Sequence, residues 1–142
     1  MKRLTVWLVL AAGASCAEPP KTAQMDQAIS GLAHLHTWHP TGQGRGQYGY
    51  DAVIGRVPEI FPFLVDHLLD ETPTAIFDRE TARNPTVSDA CFLILLHLLN
   101  KPWQEFSDCG VFVSTVLPNP IFCIKWDGLE SRVRVQRKFR AL

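Results

Sequence analysis

Of the 142 residues only two are tyrosine and two methionine, and charged residues make up 20%. No Walker-type phosphate loop, GxGxxG turn, nucleophile-elbow serine or calcium-binding EF-hand loop occurs, so no nucleotide or calcium chemistry is legible. No two cysteines stand at C-x-x-C spacing, which removes the usual zinc and thioredoxin patterns. The formal net charge is zero, so nothing global attracts nucleic acid, and none is expected as a partner. Neither a cofactor nor a metal is expected. No apolar run approaches the roughly 20 residues that a membrane-spanning helix needs.

What is present begins at the N-terminus. Met1-Lys2-Arg3 is a short cationic tip, residues 4–12 (LTVWLVLAA) are nine residues of low polarity, and Gly13, Ala14 and Ser15 are small. This order of charge, apolar run and small exit is that of a secretory signal. The stretch Leu10-Ala-Ala-Gly-Ala-Ser-Cys16 resembles the lipobox of bacterial lipoproteins, although Gly13 stands where that family usually has Leu, Val or Ile. The resemblance implies cleavage before Cys16, lipidation of its thiol, and an exported, membrane-anchored protein. Plain cleavage after Ala17, giving a periplasmic or extracellular protein, is the alternative. Residues 1–17 are thus read as signal and lipobox, 18–23 as a tether, and 24–142 as a single mainly helical domain.

Hydrophobic residues at 46%, with ten prolines and nine glycines, suit a compact domain of short elements. Met25, Ile29, Leu32 and His36 make one apolar stripe on a helix over 21–36. Four glycines mark a loop over 37–49, and a short helix is expected over 50–57. A helix opening at Pro58 and reaching Asp70 would align Ile60, Phe61, Leu64, Val65, Leu68 and Leu69. After a polar connection, Thr86 and Asp89 form a capping-box pattern. The following 87–100 run, apolar nearly all round, is expected to be the central buried helix, ended by Lys101-Pro102. Residues 110–117 and 121–126, separated by Pro118-Asn119-Pro120, read as a β-hairpin. The last segment, 129–142, reads as a helix with Leu129, Val133, Val135 or Gln136, and Phe139 at helical spacing, with a strand as the other reading.

Residues 50–100, with Ile54-Gly55, Ile60, Phe63, Leu64, Leu68, Asp70 and the Thr86/Asp89 start, resemble HEAT-like helical repeat proteins. That likeness implies stacked helical hairpins and an exposed surface for protein partners. The expected fold class is therefore mainly α, a small helical-hairpin domain with a short C-terminal β-hairpin and a terminal helix.

Function is less specified. Between Glu59 and Asp108 nine acidic residues face three basic ones, whereas after Leu129 five basic residues face one acidic. The basic end can dock on the acidic middle or on anionic headgroups. A macromolecular interaction module at the cell envelope, binding another protein or envelope component, is the leading expectation. Its candidate contacts are Trp38, Tyr48, Tyr50, Arg132, Arg134 and Arg137. The segment Ser107-Asp108-Cys109-Gly110-Val111 resembles the nucleophile turn of ubiquitin-like-protein proteases and that of cell-envelope cysteine peptidases. The first resemblance implies a thiol hydrolase using Cys109, with His39 as base and Gln104 at the oxyanion. The second lacks its downstream histidine, because none follows Cys109. Cys109 and Cys123 also stand as a candidate disulfide, and Cys91 as a buried thiol. His34, His36 and His39 do not have the spacing that places two imidazoles on one metal.

Overall fold

A computed structural model describes residues 20–35, 53–56, 58–77, 79, 82–114 and 120–142. The signal, Cys16 and the aromatic loop residues Trp38, Tyr48 and Tyr50 lie outside these, as do His36 and His39.

The first helix, α1 (Lys21–Ser30), runs into a 3₁₀ turn (Gly31–His34). Met25, Ile29 and Leu32 are buried as their spacing requires, joined by Ala28 and Leu35. Lys21 to Ala23 are helical, at the start of the helix expected over 21–36. The second helix, α2 (Phe61–Asp66), continues as a 3₁₀ turn (His67–Leu69). It starts later than expected. Pro62 occupies its first turn, where a missing N–H is harmless, while Pro58 belongs to the preceding turn. Ile60, Leu64, Val65 and Leu68 are buried, but Leu69 is an exposed apolar residue.

Helix α3 (Val87–Leu98) is the centre of the molecule, with nine of its residues buried. Burying a helix N-terminus leaves several backbone N–H groups needing partners, and the chain supplies each. Val87 N–H donates to Thr72 O (2.9 Å) and Ser88 N–H to Asp70 O (2.9 Å). Asp89 N–H donates to Thr86 Oγ1 (3.3 Å), and Thr86 N–H donates to Asp89 Oδ2 (2.8 Å). The capping box read from sequence is complete. The polar connection is accordingly not a free loop. It forms an isolated antiparallel bridge, Pro73 with Thr86, reinforced by Thr74 N–H to Pro85 O (2.7 Å). At its other end α3 closes on Asn100 in the left-handed region (φ 49°). Lys101 N–H reaches back to Leu96 O (2.9 Å) and Asn100 N–H to His97 O (3.1 Å), the two bonds of a Schellman ending.

A 3₁₀ segment, Trp103–Cys109, follows; nothing in the sequence pattern announced it. Strands β1 (Val111–Val113) and β2 (Ile124–Trp126) pair antiparallel, with Val111 opposite Trp126 and Val113 opposite Ile124. Residues Pro120–Cys123 are a 3₁₀ turn, not the start of the strand. The last helix, α4 (Gly128–Arg140), settles the helix-or-strand alternative. Its buried face is Ser131, Arg132, Val135, Gln136 and Phe139. Leu129, which the sequence put on that face, is 58% exposed.

An aromatic cluster joins these elements. The Phe92 ring on α3 meets Phe106 (5.8 Å between centroids), Trp126 (5.3 Å) and Phe139 (6.2 Å) edge-on, and Phe106 stacks on Phe139 at 4.4 Å. Edge and offset contacts of this kind add about 0.5–1.5 kcal/mol each beyond area burial. The fold is mainly helical, with one two-stranded antiparallel hairpin and a C-terminal helix.

Asp89 is fully buried and also accepts the Trp126 indole N–H at Oδ1 (2.6 Å) and the Arg83 guanidinium at Oδ2 (3.1 Å). Asp89→Ala is expected to lower the free energy of unfolding by about 2–4 kcal/mol, since a cap is lost, the Arg83 pair is broken and a half-buried indole donor is stranded. Arg137→Ala, an exposed helix change, should stay within about 0.5 kcal/mol. Urea unfolding of both variants checks the contrast.

Candidate functional site

The two surfaces singled out by sequence, the Cys109 turn and the basic terminal helix, meet in the structure. The 3₁₀ segment Trp103–Cys109 ends on Gly110 at φ +81°. A Cβ at Gly110 would lie 3.0 Å from an Arg134 nitrogen and 3.2 Å from Ser131 Cβ. Both the backbone angle and the close approach of α4 therefore require glycine there. Arg134 Nε donates to Cys109 O (3.1 Å), which fixes the turn against α4.

The Cys109 thiol sits at the end of that turn and is buried. Its Sγ lies 3.7 Å from Asp108 Oδ1. Burial raises the thiol above its ordinary value, the Asp108 charge raises it further, and the Lys138 and Arg134 cations offset this only in part. A cysteine nucleophile acts as the thiolate and needs the reverse balance. Gln104 is exposed, and its backbone carbonyl accepts Ser107 Oγ–H (2.8 Å). His39 lies outside the described residues; among the described ones Cys109 meets Asp108 through its thiol and Arg134 through its carbonyl.

The candidate disulfide is absent: Cys91, Cys109 and Cys123 form no disulfide among the described residues. The hairpin register gives the reason. Asp127 N–H bonds Gly110 O (2.9 Å) at one end of the ladder, and Ser114 N–H bonds Cys123 O (3.1 Å) at the other. A three-pair ladder spans about 10 Å, whereas a disulfide needs Cα atoms within about 7 Å. Cys91, wholly buried in α3, has its thiol pushed far up by desolvation.

The basic helix is largely occupied by the acidic middle of the chain. Arg132, 7% exposed, pairs with Glu71 and lies over the Trp126 ring at 5.3 Å. Burial lowers the Arg132 guanidinium below its ordinary value, and its Nε is buried without a partner. Lys138 Nζ bonds both Asp108 oxygens (2.8 and 3.1 Å) and Glu105 O. The Lys138 bond holds the Asp108 carboxyl below its usual range, and the same bond raises Lys138. Arg140 pairs with Asp66 (2.7 Å) and Arg134 with Glu130 (3.5 Å). Gln136 Nε2 donates to Val65 O (3.0 Å) and Asp66 O (3.2 Å), terminal carbonyls of α2. Of the three candidate contact arginines, Arg132 is thus internal and Arg134 half-engaged. Arg137 is exposed, with no ion pair among the described residues.

Asp66 and Glu71 therefore belong to ion pairs, and Asp70 to His67 (3.2 Å). Among the described residues no three His, Cys, Asp or Glu side chains converge as metal ligands do. The residue that sequence reasoning undervalued is Asp89. Its capping role was legible, but its bond to Trp126, 37 positions away, had no sequence signal.

Iodoacetamide at neutral pH is expected to leave Cys91, Cys109 and Cys123 unmodified in the folded protein and to label all three after denaturation. Peptide mass mapping reads this residue by residue. Rapid native-state labelling of Cys109 would show an activated thiol and contradict the burial described above.

Compared with protein-family models, with curated proteins and with solved structures, the chain shows no match.

Proposed function

We propose that the protein is an exported domain, anchored to a membrane through lipidated Cys16, that binds another macromolecule at the cell envelope. One observation carries the reading: a cationic tip, nine apolar residues and three small ones immediately precede Cys16. That arrangement suits translocation and signal cleavage. Among the described residues no helix is long and apolar enough to cross a membrane, so a permanent attachment in this reading comes from acyl chains. One acyl chain gives only marginal binding, and lipobox-type modification with more than one meets the two-signal requirement.

For the binding role, the solvent face of α4 offers Arg137, with Arg134 beside it. Arg132 is left out because its charge is held by Glu71. The loop aromatics Trp38, Tyr48 and Tyr50 remain part of the proposal as amphipathic contact residues.

Mass spectrometry of the mature N-terminus after expression in a bacterial host tests the anchoring. The expected product begins at Cys16 and carries acyl mass, and Cys16→Ser releases the protein from the membrane fraction. A cytosolic protein that keeps Met1 would end the proposal. The contact surface is tested separately: Arg134→Glu combined with Arg137→Glu should weaken capture of envelope partners about tenfold or more, like-charge reversal at a contact being worth over 1.4 kcal/mol. Unchanged capture would remove α4 from the reading.

A further inference from the structure

We infer that a cleft between α1 and the turn carrying Arg56 and Glu59 seats an anionic phospholipid headgroup, and so sets how the anchored domain stands on its membrane. The inference rests on the proposed lipidation of Cys16. Pro20, the residue before α1, lies four positions after Cys16, and four residues of chain span at most about 14 Å. An acylated Cys16 therefore holds the start of α1 within that distance of the headgroup layer. The tether makes each encounter between this end of the domain and a headgroup intramolecular, so even a weak contact there is well populated.

The cleft has a volume of about 280 Å³ and is lined by Lys21, Gln24 and the buried Met25 of α1 and by Arg56, Pro58 and Glu59 of the turn. The backbone of the turn is tied down: Arg56 N–H donates to Val53 O (3.1 Å) and Ile60 N–H to Arg56 O (3.1 Å). Arg56 Nη1 makes a long bond to Gln24 Oε1 (3.5 Å), which turns the guanidinium toward α1 and uses one of its five N–H groups. The two cations here differ from most of those on α4. Arg132, Arg134, Lys138 and Arg140 each face a carboxylate, whereas Lys21 and Arg56 enter no ion pair among the described residues.

Glu59 lines the same cleft and Glu18 stands in the tether, so two acids balance the two cations and the long-range field at this end is weak. Recognition is accordingly by contact. The guanidinium fork and the ammonium converge on the non-bridging oxygens of one phosphate, the charge-assisted geometry in which arginine and lysine bind phosphate best. A phosphatidylglycerol headgroup keeps its full negative charge and gains from both cations. A phosphatidylcholine headgroup carries its own ammonium beside the phosphate and gains less.

The test takes the mature protein from a bacterial host and reconstitutes it into vesicles of phosphatidylcholine alone or with phosphatidylglycerol added. Amine acetylation with peptide mass mapping then compares Lys21 with Lys125, an exposed lysine of β2. With phosphatidylglycerol, Lys21 is expected to react about threefold to tenfold more slowly than in phosphatidylcholine, the scale of one cation held at an anionic surface, while Lys125 reacts alike in both. Arg56→Gln should return Lys21 most of the way to its phosphatidylcholine rate. Glu59→Gln, a change at an exposed position, removes the opposing charge and should slow Lys21 further. A protein that sediments with both vesicles but labels Lys21 equally overturns this inference and leaves the anchor standing. Equal protection of Lys125, or full protection of Lys21 in Arg56→Gln, overturns it as well, because proximity alone would then account for the effect. A protein that sediments with neither vesicle overturns the anchor and this inference together.

Discussion

A carboxyl with no solvent exposure dictates how this molecule is put together. Asp89 sits in the first turn of α3, where burying a polar group unbonded would cost several kcal/mol. It is instead bonded from three directions: by the Thr86 N–H at the cap, by the Arg83 guanidinium and by the Trp126 indole. The third bond reaches into β2, so the start of the central helix and the hairpin must be placed together. Arg132 then lies over the same indole and pairs with Glu71, which brings α4 and the connection after α2 to the same point. The aromatic cluster around Phe92 supplies apolar burial on one side of this junction, and the polar chain of bonds gives it direction. A greasy helix can rotate about its axis at little cost; one whose first turn carries this many bonds cannot.

The parts of the fold legible in the sequence are those decided locally. The Thr86/Asp89 cap lies within four residues, and the 87–98 run is apolar nearly all round, so α3 could be bounded at both ends. Met25, Ile29 and Leu32 announced the buried face of α1 for the same reason. The α4 stripe was partly misplaced because three of its buried residues, Ser131, Arg132 and Gln136, are polar, and only Gln136 was read on the face, as the alternative to Val135. Each is inside because a partner waits there: the Gly128 carbonyl for Ser131, Glu71 for Arg132 and the ending carbonyls of α2 for Gln136. The last two partners come from more than 60 positions earlier, beyond the reach of any periodicity. Helix α2 was overextended because Pro58 and Pro62 both suit a helix start, and only packing of Ile60 and Leu64 chooses between them.

The Asp108-Cys109-Gly110 turn shows how a motif can arise from a structural demand. Glycine is fixed by a left-handed backbone angle and by the approach of Arg134 and Ser131. Aspartate is fixed by Lys138, which spans from α4 to the 3₁₀ segment. Cysteine fills a small apolar niche between them, with its thiol held protonated by burial and by the neighbouring carboxylate. Each residue of the resemblance thus has a packing or charge reason in place, and the electrostatics at the sulfur run opposite to those of an activated nucleophile.

The unequal charge distribution resolves in the same way. The excess acid of the middle segment and the excess base of the terminal one look, in sequence, like two surfaces waiting for partners. Folding brings Glu71 to Arg132, Asp66 to Arg140 and Asp108 to Lys138. The Asp66–Arg140 and Asp108–Lys138 pairs are exposed enough to add little stability singly, and only the Arg132 side of the third is buried, yet three along one helix set its rotation and register against α2 and the 3₁₀ segment. They also consume most of the field that a basic helix would otherwise project, leaving Arg137 as the arginine of α4 without an ion pair among the described residues. In the proposed binding role, a partner at this face would meet a locally balanced surface on which Arg137 is the cation without an ion pair among the described residues. That favours recognition by a specific carboxylate or phosphate placed opposite Arg137 over long-range attraction to a broadly anionic sheet.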